Sequence, residues 1–78
     1  MAAKLRNKFL LLLTQKEQKE DRRIRTSEIA QHTGISVPTV HRWLRNEVDK
    51  IEGPVLIAFC EYFNCDLCDL LYIDRTIE

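Results

Sequence analysis

The sequence predicts an all-α fold, a compact five-helix domain organised around a central pair of short helices. Three observations carry that expectation. Apolar residues recur at helical spacing in several segments, as in Phe9/Leu12/Leu13 and Val40/Trp43/Leu44. Only two Gly and two Pro occur in 78 residues, too few for a turn-rich β fold. Those four stand at helix boundaries: Gly34 closes a helix, and Pro38 and Pro54 fall in first turns, where a missing N–H costs little. At this length a single domain, residues 1–78, is expected, near the lower limit for a self-sufficient core. The apolar share of 45% and charged share of 31% suit a globular domain and exclude a disordered tail.

The first helix is expected from Lys4 to Lys19, where Leu5, Phe9, Leu12 and Leu13 make one apolar stripe. Leu10 and Leu11 widen it, either to cover more core or to meet a second subunit. The charged segment KEQKEDRRIR reads as a solvated helix end and a surface loop. A second helix begins near Thr26, with Thr26 or Ser27 as its cap, and turns Ile29, Ala30 and Thr33 inward. It stops at Gly34, which takes the left-handed conformation at no steric cost. Ile35 follows as a buried plug and Ser36 is the N-cap of the third helix. Val40, Trp43 and Leu44 then point inward, leaving Pro38, His41, Arg42 and Arg45 on the opposite side.

A polar linker, 46–52, is anchored by Val48 and Ile51. Gly53-Pro54 opens a fourth helix with an apolar face of Val55, Leu56, Phe59, Cys60 and Phe63. Asn64 suits a left-handed cap, and Asp66 caps a short fifth helix with Asp69 in its first turn. Leu67, Leu70 and Leu71 are expected to face the core. Residues 72–78 read as a tail without an assigned structure.

The stretch Thr26 to Arg45, TSEIAQHTGISVPTVHRWLR, carries the functional signal. Ala30, Gly34 four positions on, and the apolar Ile29, Ile35, Val40 and Trp43 match the helix-turn-helix pattern, with its core at 26–45. The wording GISVPTVHRWLRNEV resembles one compact branch of the Cro/repressor-type (XRE) family of small bacterial and phage regulators. PVLIAFCEYFNCDLCDLL is similar to that branch's fourth and fifth helices, so the resemblance covers nearly the whole chain.

The resemblance implies a lambda-repressor-like fold. It also implies sequence-specific double-stranded DNA binding by a small transcriptional regulator, with recognition helix 36–45 in the major groove. On the matching positions, Arg42 and Arg45 would take guanine edges or phosphates, and Thr39 and His41 would donate to bases. Val37 would touch a thymine methyl, with Ser36 and Pro38 on the same face. Arg25 and Thr26, joined by Arg22 and Arg23, would hold the sugar-phosphate backbone, and Lys50 would clamp the other side. Two departures stand out: Arg25 occupies a place where a Thr cap is common, and Val37 one where a long polar residue is common.

A net charge of zero argues against nucleic acid until its distribution is seen. Residues 1–50 hold eleven of the twelve Lys/Arg and six of the twelve Asp/Glu, a net of +5, and 51–78 balance it at −5. Such a dipolar chain presents a basic part to phosphates and an acidic part elsewhere. The main alternative is a helical protein-interaction module such as an antitoxin or adaptor. A protein-binding groove would show exposed Leu, Met or Phe, whereas the outward face here carries Thr39, His41, Arg42 and Arg45.

An enzyme is not expected. No Gly-rich phosphate loop occurs, and neither His32 nor His41 pairs with a Ser or Cys as base and nucleophile. Cys65 and Cys68 form one CxxC, which with His32 and His41 is a weak zinc pattern; structural thiols, no metal and no cofactor are the expectation. The apolar run Phe9 to Leu13 is too short for a signal peptide and no stretch approaches a membrane span, so a cytoplasmic location is the default expectation. One recognition helix reads only a few base pairs. A homodimer through the C-terminal region, using Leu71, Tyr72, Ile73 and Ile77, is therefore expected on half-sites roughly 34 Å apart.

Overall fold

The five expected helices form, and the first four end at residues that tolerate the left-handed backbone. The computed structural model describes residues 3–48 and 50–75. In chain order these make strand β1 (Lys4–Asn7), helices α1 (Phe9–Glu20), α2 (Thr26–Thr33), α3 (Val37–Leu44), α4 (Gly53–Phe63) and α5 (Leu67–Leu70), and strand β2 (Leu71–Asp74). Helix α2 stops on Gly34 at φ 74°. Asp21, Asn46 and Asn64 take the same role after α1, α3 and α4, with φ of 54°, 60° and 54°. Each is followed by an N–H that returns to a carbonyl five residues back: Arg22 to Glu17, Glu47 to Arg42, and Cys65 to Cys60. These bonds satisfy carbonyls that the helix itself leaves unpaired.

The expected first helix starts too early. Lys4–Asn7 is a strand, antiparallel to Leu71–Asp74, with Lys4 opposite Asp74, Leu5 opposite Ile73, Arg6 opposite Tyr72 and Asn7 opposite Leu71. Asn7 is the reason for the break. Its side-chain Oδ1 accepts the N–H of Phe9 at 3.0 Å, an Asx-type bond that starts α1 at Phe9 and frees the preceding residues for a ladder. Leu5 therefore faces Ile73 and is not part of the α1 stripe. The first part of the supposed tail is β2, so Tyr72 and Ile73 belong to a strand; Ile77 lies outside the described residues.

The core is aromatic at its centre. Phe9 contacts Phe59 edge-on at 4.8 Å and Phe63 at 5.1 Å, and Trp43 meets Phe59 at 5.1 Å. Leu13, Ile24, Ile29, Val40 and Leu70 complete the buried set, so every helix contributes to one cluster. Val48 and Ile51 pack against it as the expected anchors of the linker, and Ile35 does so half-buried. Of the two readings open for Leu10 and Leu11, core cover is ruled out, and Leu67 departs from its expected place in the core. Leu10 and Leu11 are exposed and cover no core, and Leu67, on the outer side of the one-turn α5, is 52% exposed while Leu70 is fully buried. Among the described residues no helix is long and apolar enough to cross a membrane.

Candidate nucleic-acid interface

Helix α3 is strongly two-sided. Val40 and Trp43 are buried and Leu44 half-buried, whereas Ser36, Val37, Pro38, His41, Arg42 and Arg45 are exposed. Pro38 stands at the start of α3, where its fixed φ favours the first turn. Ser36 holds the N-cap position in extended conformation but makes no side-chain cap bond, contrary to expectation. Its hydroxyl instead lies 2.9 Å from the Thr39 hydroxyl, and Arg42 Nη2 donates to the same Thr39 oxygen at 3.4 Å. Ser36, Thr39 and Arg42 thus make one polar chain along the outside of α3.

Two shallow depressions flank that helix. One brings Arg23, Arg25, Thr26 and Ser27 from the start of α2 together with Val37 and His41 of α3. Here His41 Nε2 lies 3.3 Å from the Thr26 hydroxyl, bridging the two helices of the motif. The other gathers Ser36, Thr39 and Arg42 with Lys50 of the linker, alongside Glu47 and Glu52. Nearly all the residues proposed from the sequence therefore lie beside α3 on one flank or the other. Pro38 and Arg45 lie on its exposed side outside both depressions.

The start of α2 answers the question of its cap. Arg25 occupies the N-cap position at φ −85° and ψ 151° and gives no side-chain cap, so neither Thr26 nor Ser27 takes that role. Thr26 is the first helical residue and is engaged with His41. Uncapped first-turn N–H groups of this kind are open to an external anion. Ser27, which the sequence marks only as a candidate cap, is exposed in the same turn and joins the depression beside Arg25.

Two of the arginines proposed for DNA contact, Arg22 and Arg45, pair with carboxylates of the chain. Arg22 donates to both carboxylate oxygens of Glu28, at 2.9 and 2.6 Å, and to Glu20 at 3.0 Å. Those bonds hold Glu28 below the usual glutamate range; for Glu20 the Lys16 ammonium does most of this, with Arg22 adding to it. Arg45 pairs with Glu47 at 2.9 Å, both well exposed, a contact of small energetic weight. Among the described residues no group of three or more His, Cys, Asp or Glu side chains is placed to hold a metal ion.

Five helices in this order, with α2 and α3 joined across Gly34 and α3 presenting a polar outer face, define a helix-turn-helix DNA-binding domain. The chain belongs to the family of Cro/C1-type HTH DNA-binding domains, whose profile matches residues 16–75. Neither the curated proteins nor the solved structures gave a match.

Proposed function

We propose that this chain is a cytoplasmic, sequence-specific transcriptional regulator that lays α3 in the major groove of double-stranded DNA and acts as a homodimer. The observation that carries the reading is the division of α3. Trp43 and Val40 anchor it in the core while Val37, Thr39, His41, Arg42 and Arg45 face outward on a helix seated against α2. In this arrangement Arg42 and Arg45 contact guanine edges or flanking phosphates, Thr39 and His41 contact bases, and Val37 meets a thymine methyl. Arg25, Arg23 and the uncapped N–H groups of α2 hold one phosphate strand, and Lys50 approaches from the other flank.

The test is selection from a randomised duplex pool, followed by titration of the enriched site with Arg42→Ala and Arg45→Ala. Loss of a guanine contact costs about 1–3 kcal/mol and relaxes preference at that position. A pool that yields no enriched sequence, or two variants with unchanged affinity and preference, overturns the docking.

A further inference from the structure

The two-stranded sheet has two outer edges, and they are not equivalent. Asn7 N–H points away from β2, because it donates to the Asn46 side chain at 2.9 Å. The Asn7/Leu71 pair is therefore a non-hydrogen-bonded pair of the antiparallel ladder, and by alternation Leu5/Ile73 is another. The Lys8 N–H to Leu70 carbonyl bond of 2.7 Å, one step further along, fits the same alternation. The backbone groups of Ile73 consequently face outward from β2, together with the Leu71 carbonyl and the Arg75 N–H. Leu71 N–H is already taken by the Leu67 carbonyl.

The outer edge of β1 is closed by Asn46 and also repels itself. Antiparallel pairing of two β1 strands about Leu5 sets Lys4 opposite Arg6, like charges face to face. The outer edge of β2 has neither defect. Pairing about Ile73 sets Tyr72 opposite Asp74 and Leu71 opposite Arg75, with no like charges opposed. Leu5 and Ile73, 36% and 52% exposed, lie on one face of the sheet and lengthen into a continuous apolar row when two copies meet.

We infer that two copies of the chain pair antiparallel along the outer edge of β2, with Ile73 on the two-fold axis, giving a four-stranded sheet. Ile73 N–H of each copy donates to the Ile73 carbonyl of the other, and Arg75 N–H of each donates to the Leu71 carbonyl of the other. This specifies the partner surface of the homodimer proposed above and rests on that dimer, but not on the DNA contacts.

The experiment is sedimentation of the full chain without DNA, comparing wild type with Ile73→Pro, Ile73→Lys and Ile57→Lys. Proline at position 73 removes an N–H that the β1–β2 ladder does not use, so the fold survives. Lysine there charges the edge without touching the backbone. Ile57 is exposed on α4 beside a separate shallow groove, and its lysine variant reports on pairing through that surface. Wild type and Ile57→Lys should sediment at twice the 9.2 kDa chain mass, and both Ile73 variants should self-associate about tenfold more weakly or worse. A monomeric wild type overturns the inference, as does dimerisation that survives both Ile73 variants or fails in Ile57→Lys alone. Because DNA is absent, none of these outcomes bears on whether α3 reads a duplex.

Discussion

The backbone N–H of Asn7 donates to the side chain of Asn46 at 2.9 Å, across 39 positions of sequence. Asn46 also holds φ 60°, ending α3. One residue therefore terminates the recognition helix and closes the outer edge of β1. Asn46→Ala loses the acceptor and puts alanine, which tolerates the left-handed region less well than asparagine, at φ 60°, and should lower unfolding free energy by about 1–3 kcal/mol. Asn46→Gly keeps the backbone and loses only the acceptor, so its cost should be smaller. Urea denaturation of both variants checks the order; equal losses would mean that the backbone conformation contributes nothing.

Trp43 is 3% exposed and packs edge-on against Phe59 at 5.1 Å. Truncating so large a buried ring leaves a cavity beneath the outward residues of α3. Trp43→Ala should cost about 3–5 kcal/mol, measured as a shifted denaturation midpoint. A loss below about 1 kcal/mol would mean that α3 is seated by other contacts.

The helices were legible because they depend on local chemistry: apolar spacing, Gly34, Pro38, Pro54 and Asn64 act within a turn or two of themselves. The strands were not. Lys4–Asn7 pairs with Leu71–Asp74 over almost the full length of the chain, and neither segment alternates strongly enough to signal a strand. Leu5 joined the α1 stripe only because helical spacing ignores the stop that Asn7 supplies. Ile24 is masked by the charged run around it, yet it is buried and its N–H donates to Glu17 Oε2 at 2.8 Å.

The candidate site was legible to the same local extent. The outward face of α3 follows from its period. Whether a cation there is unengaged depends on neighbours that periodicity does not place. Arg22 and Arg25 are equivalent by local sequence, and only the fold sets Glu20 and Glu28 to hold Arg22.

The cysteines are inequivalent in a way that alkylation can read. Cys60 and Cys65 come together where the Cys65 N–H returns to the Cys60 carbonyl at the end of α4. Burial pushes the Cys65 thiol up to about 11, with Cys60 beside it adding to the shift, whereas Cys68 is exposed. The reactive species is the thiolate, so at mildly alkaline pH iodoacetamide should modify Cys68 well before Cys65. Peptide mapping against time checks the order. Equal rates at the two positions would contradict the burial of Cys65.

Arg22 and Arg25 stand three positions apart and should separate cleanly in solution. Glu28 sits below the usual glutamate range because of its hydrogen bonds from Arg22. A carboxylate lowered in the folded state contributes stability that is fully present above its unfolded value and is lost as pH falls through the folded one. Wild type should therefore be more stable than Arg22→Gln near neutral pH, with the gap closing in acid. The gap is small because the pair is partly exposed and salt-screened. On DNA the order reverses. Arg22 is held by Glu28 and Glu20, so its loss should leave the dependence of log affinity on log salt nearly unchanged. Arg25, exposed at the uncapped start of α2, should reduce that slope by about one unit when replaced by Ala, with little effect on stability. Thermal melts across pH and titrations at several salt concentrations measure both halves. An Arg22 variant that lowers the slope as much as the Arg25 variant would show that the Glu28 pair opens on DNA and releases Arg22 to a phosphate.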